Sequence, residues 1–310
     1  MGIYLLITDR DTARLQQEIK KRLGNETPVW KYPETPDPAV VDMAVVWKHP
    51  PGALANFPNL RLISSLGAGV EHLVSDPSLP TGVRLTRIVD EALTVSMRNY
   101  VVMGALNIHK RLDHYLSCQQ QKLWQKPDPV ERPLTIGVLG LGQLGGDIAS
   151  FLAGMGFEVW GYSQMRKEIP GVQCVSPEET PLESFVEKVN LLVCLLPLTP
   201  ETTGILRYEL LSRMPKGSFL INAARGAHLV EGDLVRLMGE GHIQGAYLDV
   251  FREEPLPLDH PFWTLPGVLI TPHSASITNQ QNAAAIIAEN YRRLKTERPL
   301  LYEVSASKGY

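Results

Sequence analysis

The sequence predicts an α/β fold built on doubly wound parallel sheets. Three observations carry this. Short apolar runs alternate with helix-period stretches along almost the whole chain, the pattern of strands joined by crossover helices. One of these runs passes directly into Gly140-x-Gly142-x-x-Gly145 and a helical stretch, the strand–turn–helix setting in which this glycine spacing binds a dinucleotide. The length of 310 residues suits about two domains of ~150 residues each.

In chain order, residues 3–7 read as a strand and residues 11–23 as a helix with Leu15, Ile19 and Leu23 along one stripe. Residues 43–47 and 60–66 read as further strands. The second runs into Gly67-Ala68-Gly69 and a short helix toward Leu73. Open α/β sheets place ligands at strand C-terminal ends, so this turn suits a carboxylate on its backbone N–H groups, and it equally suits a plain structural turn. Residues 94–116 read as one long helix, able to cross from one domain to another, which Lys126-Pro127-Asp128-Pro129 breaks. Strands follow at 134–139, 157–161, 191–196, 219–222, 246–250 and 268–270, and a last helix at 279–295. No low-complexity segment or solenoid-type repeat interrupts the pattern.

The glycine turn has a reason for each glycine. Gly140 permits the tight turn, Gly142 lets the backbone approach a pyrophosphate, and Gly145 lets helix and strand pack closely. The helix that follows carries Leu144, Ile148, Phe151, Leu152 and Met155 on its expected inner face. Its N-terminus offers unpaired N–H groups to phosphates. An acidic residue at the end of the next strand usually holds the ribose of NAD, but here the chain reads Trp160-Gly161-Tyr162-Ser163-Gln164-Met165-Arg166-Lys167. Ser163 can donate a hydrogen bond, and Arg166 and Lys167 can pair with a 2′-phosphate, which points to NADP. The other reading of the basic pair is a solvated loop.

Bulk properties exclude several classes. A net charge of −3 gives no general attraction to nucleic acid or to an anionic membrane. No apolar run reaches membrane-spanning length, and no basic, apolar leader precedes the first strand. Gly2 follows Met1, but Leu6 stands where myristoylation wants Ser or Thr. A cytoplasmic location is expected. Cys118, Cys174 and Cys194 are too few and too scattered for a disulfide framework or a zinc site, and no metal is expected.

Three stretches fall at later strand ends: Asn222-Ala223-Ala224-Arg225-Gly226, Leu248-Asp249 through Glu254-Pro255, and Thr271-Pro272-His273-Ser274-Ala275. Together they supply an Arg, a Glu and a His near a dinucleotide site, the set that reduction of a 2-oxo acid needs. A guanidinium grips the carboxylate and polarises the carbonyl. An imidazolium gives a proton to the oxygen as hydride reaches carbon, and a carboxylate orients and charge-stabilises that imidazole. Each residue alone has a structural reading. The seven other histidines, at 49, 72, 109, 114, 228, 242 and 260, stand in no comparable context.

On these motifs the chain resembles the D-isomer-specific 2-hydroxyacid dehydrogenases, and within them the bacterial glyoxylate/hydroxypyruvate reductase A group. The resemblance covers essentially the whole chain and is carried by the motifs from Gly140 to His273. Trp47 in Val46-Trp47-Lys48-His49-Pro50-Pro51 and the closing Lys308-Gly309-Tyr310 look more like that group than the wider family. It implies Arg225 as substrate-binding and catalytic, His273 as proton donor and Glu254 as its partner. It implies cofactor contacts from Gln143 and Leu144 of the glycine turn, from Leu196, Pro197 and Thr202, and from Ala223, Asp249 and Ala275. It implies Trp47 and Gly67-Ala68-Gly69 as substrate contacts, with Gly67-Ala68-Gly69 meeting the carboxylate.

Two departures stand out. Ser163 replaces the family's usual Asp, and Asn99 stands where many members have Glu. The implied layout is a flavodoxin-like substrate domain of residues 1–97 completed by 279–310, a Rossmann cofactor domain of residues 98–278, and a cleft between them. The chain would cross near Arg98 and Thr278. A homodimer through the cofactor domain is implied, with residues 94–124 as part of the interface. The implied activity is NADPH-dependent reduction of glyoxylate to glycolate and of hydroxypyruvate to D-glycerate. The alternatives are an NAD-dependent enzyme of other specificity, such as a phosphoglycerate or formate dehydrogenase, and a dehydrogenase-like binding protein of the C-terminal-binding corepressor kind.

Overall fold

Strand β1 (Gly2–Ile7) is buried along its whole length, as a parallel strand covered on both faces must be. The computed structural model describes residues 1–24, 26–74 and 76–304, so Lys308-Gly309-Tyr310 lie outside the described residues. After β1 come α1 (Ala13–Leu23), β2 (Val29–Lys31), β3 (Val41–Trp47), β4 (Leu62–Ser65), α2 (Glu71–Val74), β5 (Arg84–Thr86), α3 (Glu91–His109) and α4 (Leu112–Gln120). Then follow β6 (Thr135–Leu139), α5 (Gln143–Gly154), β7 (Glu158–Tyr162), β8 (Val172–Val175), α6 (Leu182–Val186), β9 (Leu191–Cys194) and α7 (Tyr208–Leu211). The chain ends with β10 (Ser218–Asn222), α8 (Glu231–Gly239), β11 (Ile243–Leu248), β12 (Val268–Ile270), α9 (Gln280–Lys295) and β13 (Glu303–Val304).

The described residues form two units, Met1–Leu93 with the residues from Ile277 onward, and Thr94–Ser276. The unit changes therefore fall at 93/94 and 276/277, within four residues of the 97/98 and 278/279 expected from the sequence.

The first unit carries one sheet in the order β13-β5-β4-β3-β1-β2. The pairs among β1 to β5 are parallel and β13 joins β5 antiparallel, so the parallel part has the flavodoxin-like order 2-1-3-4-5. One core is formed by β1 and β3 with Leu15 and Ile19 of α1 and Ala283, Ile287 and Leu294 of α9. Asn279 starts α9 by accepting the Gln281 and Asn282 amides, which are among the unpaired donors of a helix start.

The second unit carries a wholly parallel sheet in the order β12-β11-β10-β9-β6-β7-β8. Counted from β6 this is 3-2-1-4-5-6 with a seventh strand beside the sixth, the dinucleotide-binding order. The strand order reverses at β6, and ligands bind such sheets at the strand C-terminal ends there. Cys194 is fully buried in β9, and burial pushes its thiol up to about 12.

Two expected helix features are corrected. Residues 94–116 are not one helix: α3 ends at His109, and Arg111 takes φ 56 before α4 begins. Nothing local marks that break. The Arg111 guanidinium donates to the Pro129 carbonyl at 3.1 Å, so a contact distant in sequence accompanies the turn. The inner face of α5 is Gly145, Ile148, Ala149 and Leu152. Phe151 and Met155, expected there, are exposed, and the Arg98 guanidinium lies 4.6 Å from the centre of the Phe151 ring. Strands β2, β5, β8 and β13 are two to four residues long, too short to display a period, and three of the four are sheet edges.

Candidate active site

The glycine turn follows β6. Gly140 has φ +96, a conformation that side chains disfavour, and its amide donates to the Tyr162 carbonyl at 2.8 Å. No side chain caps α5, and a Cβ on Gly142 would meet open space. The turn therefore offers helix amides and room beside them, which fits a pyrophosphate. Gly145 is different, because a Cβ there would overlap the Gly140 carbonyl oxygen. Gly145→Ala is expected to displace the turn, at a cost of roughly 1–3 kcal/mol for overpacking. Titration with the dinucleotide should show affinity lowered by about tenfold or more. An unchanged Kd would mean that the turn does not hold the phosphates.

At the end of β7, the Ser163 hydroxyl donates to the Met165 carbonyl at 2.7 Å. The Arg166 guanidinium is not merely solvated: it pairs with Glu179 at 2.6 Å, and the other Glu179 oxygen accepts the Ser176 amide. Lys167 is exposed in the same loop.

Strands β10, β11 and β12 bring three loops to one sheet edge, because Asn222 lies opposite Leu248 and Leu248 opposite Ile270. Arg225 follows β10 by three residues, and its Nη1 donates to the Ala224 carbonyl at 2.6 Å. Gly226 behind it has no room for a side chain, since a Cβ would overlap the Phe251 backbone. His273 follows β12 by three residues with φ 52. A left-handed non-glycine residue costs on the order of 1–3 kcal/mol and persists only where its surroundings hold it. Here the His273 amide donates to the Asp249 carbonyl at 2.8 Å and the Thr271 carbonyl at 3.0 Å. His273 Nδ1 lies 2.9 Å from Glu254 Oε2, and Glu254 Oε1 accepts the Phe251 amide at 3.2 Å.

Asp249 is almost wholly buried, and its carboxylate accepts from Thr271 Oγ1 and from the Ser274 and Ala275 amides. It anchors the loop that presents His273. Tyr100 donates to Thr271 Oγ1 at 2.9 Å, and burial pushes its phenol up to about 12, which keeps it a donor. Ala223 and Ala275 are buried, and β9 stops at Cys194, leaving Leu196 and Pro197 in the following loop. Thr202 Oγ1 donates to the Pro197 carbonyl at 2.7 Å and accepts the Thr199 amide at 2.8 Å, so Pro197 and Thr202 form one structure.

In the first unit, Trp47 ends β3 and lies against the turn after β4: a Cβ on Gly67 would sit 2.6 Å from its ring. Ser65 Oγ donates to the Gly69 carbonyl at 2.7 Å, and Arg87 reaches the Ala68 carbonyl at 3.3 Å. Trp47 and Gly67-Ala68-Gly69 are thus together. Arg87 carries little sequence signal, an Arg directly after a short strand. His228, which no motif singles out, is buried beside Arg225.

A parallel sheet in dinucleotide-binding order, with a glycine turn on its first strand and an Arg and a Glu–His pair at its later strand ends, defines a nucleotide-dependent dehydrogenase. The family model described as D-isomer specific 2-hydroxyacid dehydrogenase, NAD binding domain, matches residues 102–275. The chain belongs to the D-isomer-specific 2-hydroxyacid dehydrogenase family and is an oxidoreductase. It is 40% identical over 280 residues to glyoxylate/hydroxypyruvate reductase A of Yersinia enterocolitica, covering 88% of this chain and 89% of that one. Its structure is similar to that of a D-isomer-specific 2-hydroxyacid dehydrogenase from Xanthobacter autotrophicus Py2 solved with NADPH and MES, with a TM-score of 0.92, 35% identity and coverage of 100% and 99%. It is also similar to an NADPH-dependent glyoxylate/hydroxypyruvate reductase from Sinorhizobium meliloti solved with NADP and sulfate, with a TM-score of 0.91, 30% identity and the same coverage. Among the described residues no three His, Cys, Asp or Glu side chains group to hold a metal ion, and no helix is long and apolar enough to cross a membrane.

Proposed function

We propose that this dehydrogenase reduces small 2-oxo acids with NADPH, glyoxylate to glycolate and hydroxypyruvate to D-glycerate, with His273 as proton donor. The observation that carries the reading is the His273–Glu254 contact of 2.9 Å at a strand end two strands from that of Arg225. Arg225 grips the substrate carboxylate and polarises its carbonyl, in the geometry that suits a planar fork. Glu254 holds His273 through Nδ1, so the proton for the carbonyl oxygen is carried at Nε2. NADPH, when bound, supplies the hydride. Gly140, Gly142, Gln143, Leu144 and Gly145 hold its pyrophosphate, with Leu196, Pro197, Thr202, Ala223, Asp249 and Ala275 around the rest. Trp47 and Gly67-Ala68-Gly69 are the substrate contacts of the first unit, which makes that unit the substrate domain and the second the NADP domain. The names of the relatives support the choice of substrates.

Cofactor choice follows from Ser163, Arg166 and Lys167, which offer no carboxylate to the adenosine ribose. The exposed Arg166–Glu179 pair is worth at most about 1 kcal/mol. A charge-assisted hydrogen bond to phosphate is worth ~1.5–3 kcal/mol, so a 2′-phosphate can draw the guanidinium away. Initial rates with NADPH and NADH across a panel of 2-oxo acids test the whole reading, and NADPH with glyoxylate or hydroxypyruvate should be preferred. The double change Ser163→Asp with Arg166→Ala should reverse cofactor preference, mainly through the cofactor KM, because the contact is remote from hydride transfer. A wild-type enzyme that prefers NADH would mean that Arg166 and Lys167 hold no 2′-phosphate.

The assembly proposed is a cytoplasmic homodimer. Leu116, Leu123 and Trp124 are exposed on α4 and the loop beyond it, an apolar surface of the kind that partners cover.

A further inference from the structure

His228 is wholly buried and closes the short turn Gly226–His228 that follows Arg225. Its Nδ1 lies 3.2 Å from the Arg225 backbone nitrogen, and its Nε2 lies 3.3 Å from the Pro197 carbonyl oxygen. An amide only donates and a carbonyl only accepts, so the ring accepts at Nδ1 and carries its hydrogen at Nε2. Nδ1 also lies 3.1 Å from the Arg225 carbonyl, but that oxygen already accepts from Asn222 Nδ2 and from the His228 amide. The Pro197 carbonyl is the same oxygen that receives the Thr202 hydroxyl. Backbone bonds run alongside, from the Gly204 amide to the Ala227 carbonyl and from the Leu206 amide to the His228 carbonyl, each at 2.9 Å. One imidazole therefore ties the backbone of Arg225 to the loop of Pro197 and Thr202.

We propose that His228 is a positioning residue that keeps Arg225 and the Pro197–Thr202 loop in register, one ring nitrogen serving each. The inference rests on the reading of Arg225 as the substrate-gripping group and of Pro197 and Thr202 as cofactor contacts. A ring that only filled space would need neither nitrogen placed. Here both are aimed at groups adjoining the two halves of the reaction.

Two variants separate the nitrogens. In His228→Asn the side-chain oxygen stands near the place of Nδ1 and the Nε2 donor is lost. In His228→Gln the side-chain amide stands near the place of Nε2 and the Nδ1 acceptor is lost. His228→Asn should raise the KM for NADPH by about tenfold, at the upper end of what one such bond is worth, and leave the glyoxylate KM within about twofold. His228→Gln should do the reverse, raising the glyoxylate KM and lowering kcat by about tenfold, with NADPH affinity by fluorescence titration within about twofold. One folded variant is enough to decide, since each has its own KM. Equal changes in both KM values, wild-type kinetics in both variants, or loss of the folded state in both would make the ring an ordinary core group and overturn the proposal. Arg225→Lys separates the two readings: unaltered kinetics there would sink the role of Arg225 itself. An impaired Arg225→Lys enzyme with no KM split at His228 would sink only the present inference.

Discussion

Replacing His273 with alanine is expected to lower turnover by about 10²–10⁴, the usual worth of general acid catalysis, while NADPH still binds. The loop should survive the change. The His273 backbone is held by its amide bonds to the Asp249 and Thr271 carbonyls, and the loop by the Asp249 carboxylate, none of which involves the imidazole. The Glu254 carboxylate loses its ring partner but keeps the Phe251 amide. Steady-state kinetics beside an NADPH titration make the test. Turnover close to wild type would remove His273 from the donor role, and lost NADPH binding would show that the side chain supports the cofactor site instead.

Arg225→Lys is expected to fail although the charge is kept. The guanidinium already donates through Nη1 to the Ala224 carbonyl at 2.6 Å, which orients the fork. A lysine ammonium has neither the plane nor the second arm, so carboxylate and carbonyl cannot be held together. Losing one charge-assisted hydrogen bond of ~1.5–3 kcal/mol corresponds to roughly a ten- to hundredfold fall in kcat/KM, with KM raised and kcat lowered. A lysine enzyme matching wild type in both constants would show that bidentate recognition is the wrong account.

Much of this molecule could be read from residue order. The run before Gly140 and the helix after Gly142 are local patterns, and the glycine spacing has a steric cause that the structure reproduces in the overlap a Cβ at 145 would make. Arg225, Glu254 and His273 were legible because each follows an apolar run that reads as a strand, and strand ends of one parallel sheet are neighbours. The failures have a common cause. Residues 94–116 read as one helix because nothing in that stretch is a helix breaker, whereas the break at Arg111 accompanies a guanidinium bond to Pro129. Phe151 looked like a core residue by spacing, but it lies under Arg98 instead. Strands β2, β8 and β13 are short edges whose pairing comes from the sheet rather than from their own pattern.

By itself, then, the sequence determined the fold class, the glycine turn that fits a dinucleotide and the strand-end positions of the side chains proposed to react, because period, glycine sterics and donor chemistry are local properties. Only the tertiary structure decided which groups hold them. Asp249 became the anchor of the His273 loop and Glu179 the partner of Arg166 through contacts 25 and 13 residues apart. His228 became the link between Arg225 and Pro197 across 31 residues. Hydrogen bonds of that range depend on which segments the fold brings together, and the spacing of residues along the chain does not fix their partners.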